Sequence, residues 1–154
     1  MAQEIERKFL VANDDWRQHV TGSFVLKQGY LSTTPESSVR IRIKGKKAML
    51  TVKGKNQGIR RTEFEYEIPI VDAEAMLLLC EGPLISKTRH LINQSTHTWE
   101  IDEFADDNKG LIIAEIELRT EKEPFEKPVW LGEEVSDDER YYNSNLVAHP
   151  YTRW

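Results

Sequence analysis

Glu4-Ile5-Glu6-Arg7-Lys8-Phe9, near the start of the chain, is the stretch that decides the fold. On a β-strand, residues two positions apart share a face, so Glu4, Glu6 and Lys8 point the same way. The two carboxylates would lie roughly 7 Å apart, and their repulsion grows several-fold where water is scarce. A hard divalent cation with oxygen ligands would reverse that repulsion. The stretch therefore predicts a strand with a metal site on the inner wall of a sheet.

The same alternation recurs in five later segments, where one uncharged residue separates two charges of the same sign. These segments are Arg40-Ile41-Arg42, Glu65-Tyr66-Glu67, Lys87-Thr88-Arg89, Glu100-Ile101-Asp102 and Glu115-Ile116-Glu117. One explanation is a set of ordinary antiparallel strands with a solvated outer face. The other is a closed barrel whose charged faces look inward and whose apolar faces are covered by helices. Solvated faces usually mix polar residue types, so the repeated same-sign pairs favour the barrel.

Alternation and turn residues together predict eight strands. They run approximately over residues 3–11, 24–32, 38–44, 47–54, 62–70, 85–93, 96–103 and 111–120. Short connections indicate that most neighbouring strands are antiparallel. Short helices are predicted at 14–19, 72–80 and 136–146, the last from the capping-box spacing of Ser136 and Glu139. The predicted fold class is mainly β (α+β), an eight-stranded antiparallel barrel with a charged interior and a few short helices packed outside.

Length and composition limit the classes to which the protein can belong. A chain of 154 residues fits one domain, predicted to span residues 1–154. The net charge of −5 argues against a nucleic-acid binder held by bulk charge, although it allows a local basic pocket. Cys80 stands alone, which excludes a disulfide framework. No apolar stretch is long enough to span a bilayer, so we expect no membrane partner and a cytoplasmic location.

The side chains predicted to face inward carry both signs of charge. The bases are Lys8, Arg40, Arg42, Lys53, Lys87 and Arg89, and the acids are Glu4, Glu6, Glu65, Glu67, Asp102, Glu115 and Glu117. Because buried unpaired charge is prohibitive, the two sets must neutralise one another, a ligand or a metal. The bases suit an extended polyanion, and the acids suit one or two Mg²⁺ or Mn²⁺ ions. Together they predict hydrolysis of a phosphoanhydride, in which bases hold the phosphates and a metal activates the attacking water.

The opening Glu4-Ile5-Glu6-Arg7-Lys8-Phe9-Leu10-Val11 resembles the N-terminal signature of the CYTH superfamily, the triphosphate tunnel metalloenzymes. The resemblance continues nearly to the end of the chain. The matching segments, in the family's order, are Gln28-Gly29-Tyr30-Leu31, Arg40-Ile41-Arg42, Leu50-Thr51-Val52-Lys53, Glu65-Tyr66-Glu67-Ile68, Lys87-Thr88-Arg89, Asp102, Glu115-Ile116-Glu117 and a tail from Trp130 to Tyr141. This resemblance implies an eight-stranded β tunnel that binds a triphosphate group and a divalent metal inside.

The resemblance also implies roles for individual residues. Metal ligands would be Glu4, Glu6, Glu115 and Glu117, and phosphate contacts would come from Lys8, Arg40, Arg42, Lys53, Lys87 and Arg89. The predicted catalytic residues are Glu6, Lys8, Arg42, Glu65, Glu67, Lys87 and Arg89. Tyr30, Asp102 and Arg140 are further candidates, and Tyr30 is predicted to bond Lys87.

Several activities share this family's scaffold, so the resemblance leaves the substrate open. Because strands take most of the chain, little remains to build a pocket for an organic group. This favours cleavage of inorganic tripolyphosphate to pyrophosphate and phosphate. The alternatives are a nucleoside or thiamine triphosphatase, a class IV adenylate cyclase, or a non-catalytic polyphosphate-binding module. The predicted partner is a triphosphate-containing small molecule, bound by a monomer or homodimer.

Overall fold

The sheet of this protein closes on itself. A computed structural model describes residues 3–154, and Met1 and Ala2 of the predicted domain lie outside the described residues. The strands are β1 (Gln3–Val11), β2 (Gly22–Thr34), β3 (Ser37–Lys44), β4 (Lys47–Gly54), β5 (Arg60–Ile68), β6 (Glu81–Gln94), β7 (His97–Phe104), β8 (Ile112–Glu117) and β9 (Leu131–Glu134). Around the ring the order is β1, β8, β7, β6, β2, β3, β4 and β5, and β5 pairs again with β1. This confirms the predicted eight-stranded antiparallel barrel.

Strand β1 closes the ring because both of its edges are paired. One edge lies along β8, with Lys8 opposite Glu115. The other edge pairs with β5 through Gln3–Ile5 and with β9 from Phe9 onward. Just after β9, the hydroxyl of Ser136 accepts a hydrogen bond of 2.9 Å from the main-chain N–H of Lys8. Strand β9 therefore occupies the part of this edge that β5 leaves open.

Strand alternation separates the charged side chains from most of the apolar ones. Ile41, Ile101 and Ile116 are buried on the outer face, in layers covered by helices and by the C-terminal segment. Helix α1 (Ile70–Leu77) packs against β2, β3 and β4. Helix α2 (Asn143–Ala148) packs against β6 and β2. Within residues 3–154, no helix combines the length and apolar character needed to cross a membrane.

One end of the barrel interior is filled with apolar side chains. Phe104 lies opposite Lys87, and Ile113 lies opposite Asp102, so these two apolar residues share the inner face with the charges. Leu146 of α2 belongs to the same buried cluster. The charged interior is therefore closed at this end and solvated towards the other.

The predicted elements differ from the observed ones in places that have a physical reason. Strand β5 ends at Ile68 because Pro69 has no N–H to pair, and α1 begins at Ile70. The predicted helix over 136–146 is wrong. Ser136 bonds Lys8 and Glu134 instead of capping a helix, and a 3₁₀ helix (Glu139–Tyr141) precedes α2. Strand β9 was not predicted, since its four residues carry almost no alternation.

Gly132 allows β9 to lie against β1. A Cβ at this position would sit 2.9 Å from the carbonyl oxygen of Leu10, a backbone atom that cannot rotate away. We expect Gly132→Ala to lower the free energy of unfolding by about 1–3 kcal/mol, the usual effect of overpacking. Urea denaturation measures the loss. Gly22→Ala is the control, because its Cβ would meet nothing within 4 Å. Equal losses in the two variants would contradict the close approach of β9.

Candidate active site

A cavity of about 230 Å³ occupies the barrel interior, and polar side chains from most strands line it. We call it the barrel cavity. The sequence-predicted site residues that line it are Glu4, Glu6, Lys8, Tyr30, Arg40, Arg42, Lys53, Glu65, Lys87, Arg89, Glu115 and Glu117. Asp102 lies beneath the lining, fully buried, and bonds two of these residues. The structure therefore brings most of the predicted set together.

Strand order sorts the charges into two walls. The acidic wall is formed by the neighbouring strands β1, β8 and β7 and consists of Glu4, Glu6, Glu115, Glu117 and Glu100. The basic wall is formed by β6, β3 and β4 and consists of Lys87, Arg89, Arg40, Arg42 and Lys53. Lys53 joins the walls, because its Nζ lies 3.1 Å from Glu4 and 3.3 Å from Glu63. Lys8 on β1 and the mixed charges of β5 (Arg61, Glu63 and Glu65) are exceptions, so the barrel cavity is mainly cationic on one side and mainly acidic on the other.

Asp102 anchors the inner end of the basic wall. Its carboxylate accepts bonds from Arg89 Nε at 2.7 Å and Nη2 at 2.9 Å, and lies 2.7 Å from Lys87 Nζ. Burial alone would raise the pKa of Asp102, but Lys87 and Arg89 hold that pKa far below its usual range. Burial, together with repulsion from Arg89 and Arg42, lowers the pKa of Lys87 to about 7, although Asp102 opposes the change. Lys87 can therefore gain or lose a proton near neutral pH.

Arg42 and Arg40 keep positive charge available inside the barrel cavity. Arg42 donates from Nε to Oε1 of Gln28 at 2.8 Å and pairs with no carboxylate of the described residues. Burial, with repulsion from Arg40 and Arg89, lowers its pKa to about 9. Arg40 lies near Glu65, at 3.7 Å, but its buried Nε has no acceptor within residues 3–154. Both guanidinium groups can therefore bind an anion by donating charge-assisted hydrogen bonds to it.

The acidic wall holds like charges close together. Glu6 lies directly opposite Glu117 across β1 and β8, and Glu115 lies opposite Glu100 across β8 and β7. Burial first, and then repulsion from Glu115 and Glu4, raise the pKa of Glu6 to about 8. Glu6 has only a distant counter-charge, since the Nζ of Lys8 is 3.9 Å from its carboxylate. Ionised Glu6 is therefore unfavourable until a further cation approaches.

These carboxylates fit a hard divalent cation by their chemistry, because all of them offer oxygen ligands. No group of three or more His, Cys, Asp or Glu residues in the described part of the chain converges closely enough to hold a metal ion. Mg²⁺ does not require such a cage, since proteins commonly bind it through one or two carboxylates, water and substrate phosphates. Burial and repulsion from Glu115 and Glu4 raise the pKa of Glu6, and a cation beside its carboxylate would offset that repulsion. The donor set thus fits a metal that binds together with a phosphate ligand.

Three predicted residues lie differently from expectation. Glu67 is exposed and does not line the barrel cavity. Arg140 is 63% exposed and pairs with Asp138 at 2.7 Å on the surface, so it does not reach the cavity. The hydroxyl of Tyr30 accepts from Gln28 at 3.4 Å, and the predicted bond to Lys87 is not formed.

The lining also contains residues that the sequence analysis did not assign. They include Arg61, Glu63, Glu100 and Asn143. Gln28 does not line the cavity; it is fully buried and bonds Arg42. Arg61 and Glu63 continue the alternation of Glu65, and Glu100 shares that of Asp102, so the period of two contained the signal for these three. Asn143 follows a segment without regular alternation, and no local pattern marked it.

Comparisons with known proteins agree over nearly the whole chain. The family model of the CYTH domain matches residues 2–149. The inorganic triphosphatase of Acetivibrio thermocellus is 48% identical over 152 residues, which cover 98% of this chain and 97% of that protein. The inorganic triphosphatase of Nitrosomonas europaea is 37% identical over 150 residues, covering 94% and 96%. A solved structure of an inorganic triphosphatase matches with a TM-score of 0.65 at 34% identity, covering 94% of this chain and 97% of that one.

Proposed function

This chain belongs to the CYTH domain family, and from that premise we propose that it is a metal-dependent inorganic triphosphatase. It cleaves tripolyphosphate to pyrophosphate and phosphate. The relatives from Acetivibrio and Nitrosomonas, matched over nearly their full lengths, are inorganic triphosphatases. The observation that carries the proposal is the barrel cavity, in which a basic wall faces an acidic wall. A triphosphate needs the first wall, and the cation that accompanies it needs the second.

The size and lining of the barrel cavity support an inorganic substrate. Its volume of about 230 Å³ is small, since pockets for drug-sized ligands hold roughly 300–1,000 Å³. Apart from Ile59, Tyr30 and Tyr142, the residues that line it are polar, charged or glycine. A nucleoside or thiamine triphosphate would find little apolar surface inside. The cavity thus favours a substrate that consists of phosphate groups alone.

Substrate binding depends on the positive charges of the basic wall that no carboxylate within residues 3–154 neutralises. Arg42 has no carboxylate partner among the described residues, and the Nε of Arg40 lacks an acceptor there. A guanidinium group donates two parallel bonds to phosphate oxygens, so these arginines fix both the position and the orientation of the chain of phosphates. Lys53 is already shared between Glu4 and Glu63 and contributes mainly as a point charge.

Glu4, Glu6, Glu115 and Glu117 would hold the divalent cation, Mg²⁺ or Mn²⁺. When bound, such an ion neutralises phosphate charge and lowers the pKa of a water molecule. The protein supplies the remaining electrostatics. Burial would lower the pKa of Arg89, but Asp102 more than offsets this and keeps Arg89 charged throughout. Arg89 and Arg42 can therefore stabilise charge that develops on the leaving pyrophosphate, and Lys87 can hold or move a proton.

A turnover screen tests the proposal. We expect release of phosphate from tripolyphosphate to exceed that from ATP or thiamine triphosphate, with Mg²⁺ or Mn²⁺, and to stop in EDTA. Arg42→Ala should lower kcat/KM for tripolyphosphate by about 30-fold or more, because losing one partner of a confined charge pair costs roughly 2–5 kcal/mol. Lys46→Ala, exposed in the turn between β3 and β4, is the charge-matched control and should keep its activity.

Each alternative has its own outcome in that screen. Faster turnover of ATP or thiamine triphosphate would identify an organic triphosphatase, and cyclic AMP formed from ATP would identify an adenylate cyclase. Tight binding of tripolyphosphate without cleavage would identify a polyphosphate-binding module. Full activity in EDTA would contradict the metal dependence.

The cellular context of this activity stays a prediction. A monomer or homodimer is expected, and size-exclusion chromatography with light scattering distinguishes the two. The net charge of −5 supports a protein without a nucleic-acid partner. A cytoplasmic location, where triphosphates are abundant, is the corresponding expectation.

A further inference from the structure

Two amide side chains connect the cations at the closed end of the barrel cavity. Gln28 of β2 accepts from Arg42 Nε at 2.8 Å, and its Nε2 donates to Asn143 Oδ1 at 3.4 Å. Asn143, the first residue of α2, also accepts from the Nζ of Lys87 at 2.8 Å. A continuous chain of contacts therefore runs from Arg42 through Gln28 and Asn143 to Lys87. It joins β3, β2, α2 and β6.

An amide differs from a carboxylate in what it does to a cation. Asp102 and Glu65 lie close to Lys87 and Arg40 and neutralise part of their charge. An amide oxygen accepts the same hydrogen bond but brings no net charge. It therefore fixes the direction of the cation while leaving the charge to act on a ligand.

We propose that Asn143 and Gln28 are positioning residues that hold Lys87 and Arg42 towards the triphosphate without neutralising them. This inference rests on the proposed function, since it specifies how the same site keeps its affinity for a polyanion. The packing of α2 does not require an amide at this position, because Leu146 and Val147 supply the buried apolar contacts. Asn143 instead lines the barrel cavity.

The charges around this chain of contacts agree with that role. Burial and repulsion from neighbouring arginines lower the pKa of Arg42 to about 9, and burial lowers that of Lys87 to about 7. Arg42 thus has no carboxylate partner among the described residues, and Lys87 has Asp102 as its ion-pair partner. A carboxylate in place of either amide would form an ion pair with Arg42 or Lys87 and so weaken the attraction of the site for an anion.

Asn143→Asp tests the proposal directly. We expect the Kd for tripolyphosphate, measured by calorimetry in EDTA, to rise about tenfold or more, a factor equivalent to about 1.4 kcal/mol. Asn143→Ala removes the acceptor without adding charge. Its Kd should stay within about threefold of wild type, while kcat falls more than KM rises, because Lys87 loses its orientation. A purely structural role would give the two variants the same affinity.

Asn145→Asp is the matched control. It adds the same charge to the same helix, but Asn145 donates to the carbonyl of Glu139 at 2.7 Å, outside the barrel cavity. Its Kd should stay near that of wild type. Gln28→Glu repeats the test from β2 if Asn143→Asp does not fold, and it should weaken binding in the same way by pairing with Arg42.

The outcomes separate this inference from the proposed function. Equal Kd values for Asn143→Asp and Asn143→Ala, or an equal loss in Asn145→Asp, would overturn the positioning role. Wild-type protein that binds tripolyphosphate without cleaving it would overturn the triphosphatase proposal, while the calorimetric series would still decide the role of Asn143. Wild-type protein that does not bind tripolyphosphate would overturn both.

Discussion

We expect Asp102→Asn to lower the free energy of unfolding by about 3–5 kcal/mol, because it leaves buried cations without their shared carboxylate. Asp102 is fully buried and binds Lys87 and Arg89 at 2.7 Å each. Arg89 keeps Glu100 at 3.1 Å, which cannot replace a bidentate partner. The loss should be larger at pH 6 than at pH 8.5, since Lys87, with a pKa of about 7, is mostly neutral at the higher pH.

Urea denaturation followed by tryptophan fluorescence measures this loss. Glu103→Gln is the control, because Glu103 is the next residue of β7 and lies on the opposite face of the strand. Its carboxylate is 38% exposed and bonds Arg17 at 3.0 Å, a surface pair worth about 1 kcal/mol or less. Similar losses in the two variants would mean that Asp102 is not what holds the basic wall in place.

Glu6→Gln should separate activity from stability. We expect turnover of tripolyphosphate to fall on the order of 100-fold or more, which corresponds to about 2.7 kcal/mol in the barrier. The metal-free protein should nevertheless become more stable, because Glu6 lies opposite Glu117 and is repelled by Glu115 and Glu4. An amide of the same shape removes that repulsion.

The gain in stability should depend on pH in a definite direction. The pKa of Glu6 is about 8 in the folded protein and near 4.5 when unfolded, so below pH 4.5 both states are protonated and the carboxylate costs nothing. The cost grows as the pH rises through this window and is complete above pH 8. Thermal melting in EDTA should therefore show Glu6→Gln equal to wild type near pH 4.5 and several degrees higher at pH 9.

Glu126→Gln, which removes one exposed carboxylate, controls for the change in net charge. It should alter neither turnover nor the melting temperature by much. Full activity in Glu6→Gln would exclude the acidic wall as the metal site. A lower melting temperature at pH 9 would mean that the repulsion is already relieved in the metal-free protein.

The barrel could be predicted from the sequence because its decisive property is local. In most strands an inward charge recurs at every second residue, so Arg40 and Arg42, or Glu115 and Glu117, indicate the inward face without reference to a partner strand. The same logic would have reached Arg61 and Glu63, which repeat the pattern at the start of β5. Charge alternation thus predicts the lining wherever the strand is regular.

The parts that could not be predicted depend on distant contacts. Ser136 has the spacing of a helix cap, but the main chain of Lys8 competes for its hydroxyl. Asn143 contributes to the barrel cavity only because α2 packs across its end. Glu67 obeys the alternation but lies where β5 extends beyond the lining, so its carboxylate stays in water. In each case the outcome follows from tertiary packing, which a period of two does not encode.

The pairing of β1 with distant strands affects the order in which the protein folds. Lys8 of this strand lies opposite Glu115, and its main-chain N–H donates to the hydroxyl of Ser136, 128 residues further along the chain. Closing so long a loop is entropically expensive and slow compared with forming the hairpins between β2 and β5. The pairing of β1 with β8 and β9 therefore has to follow the synthesis of Ile112–Glu117 and Leu131–Glu134, so the barrel closes late. A chain that ended before β8 would therefore lack both the closed barrel and the cavity carboxylates Glu115 and Glu117.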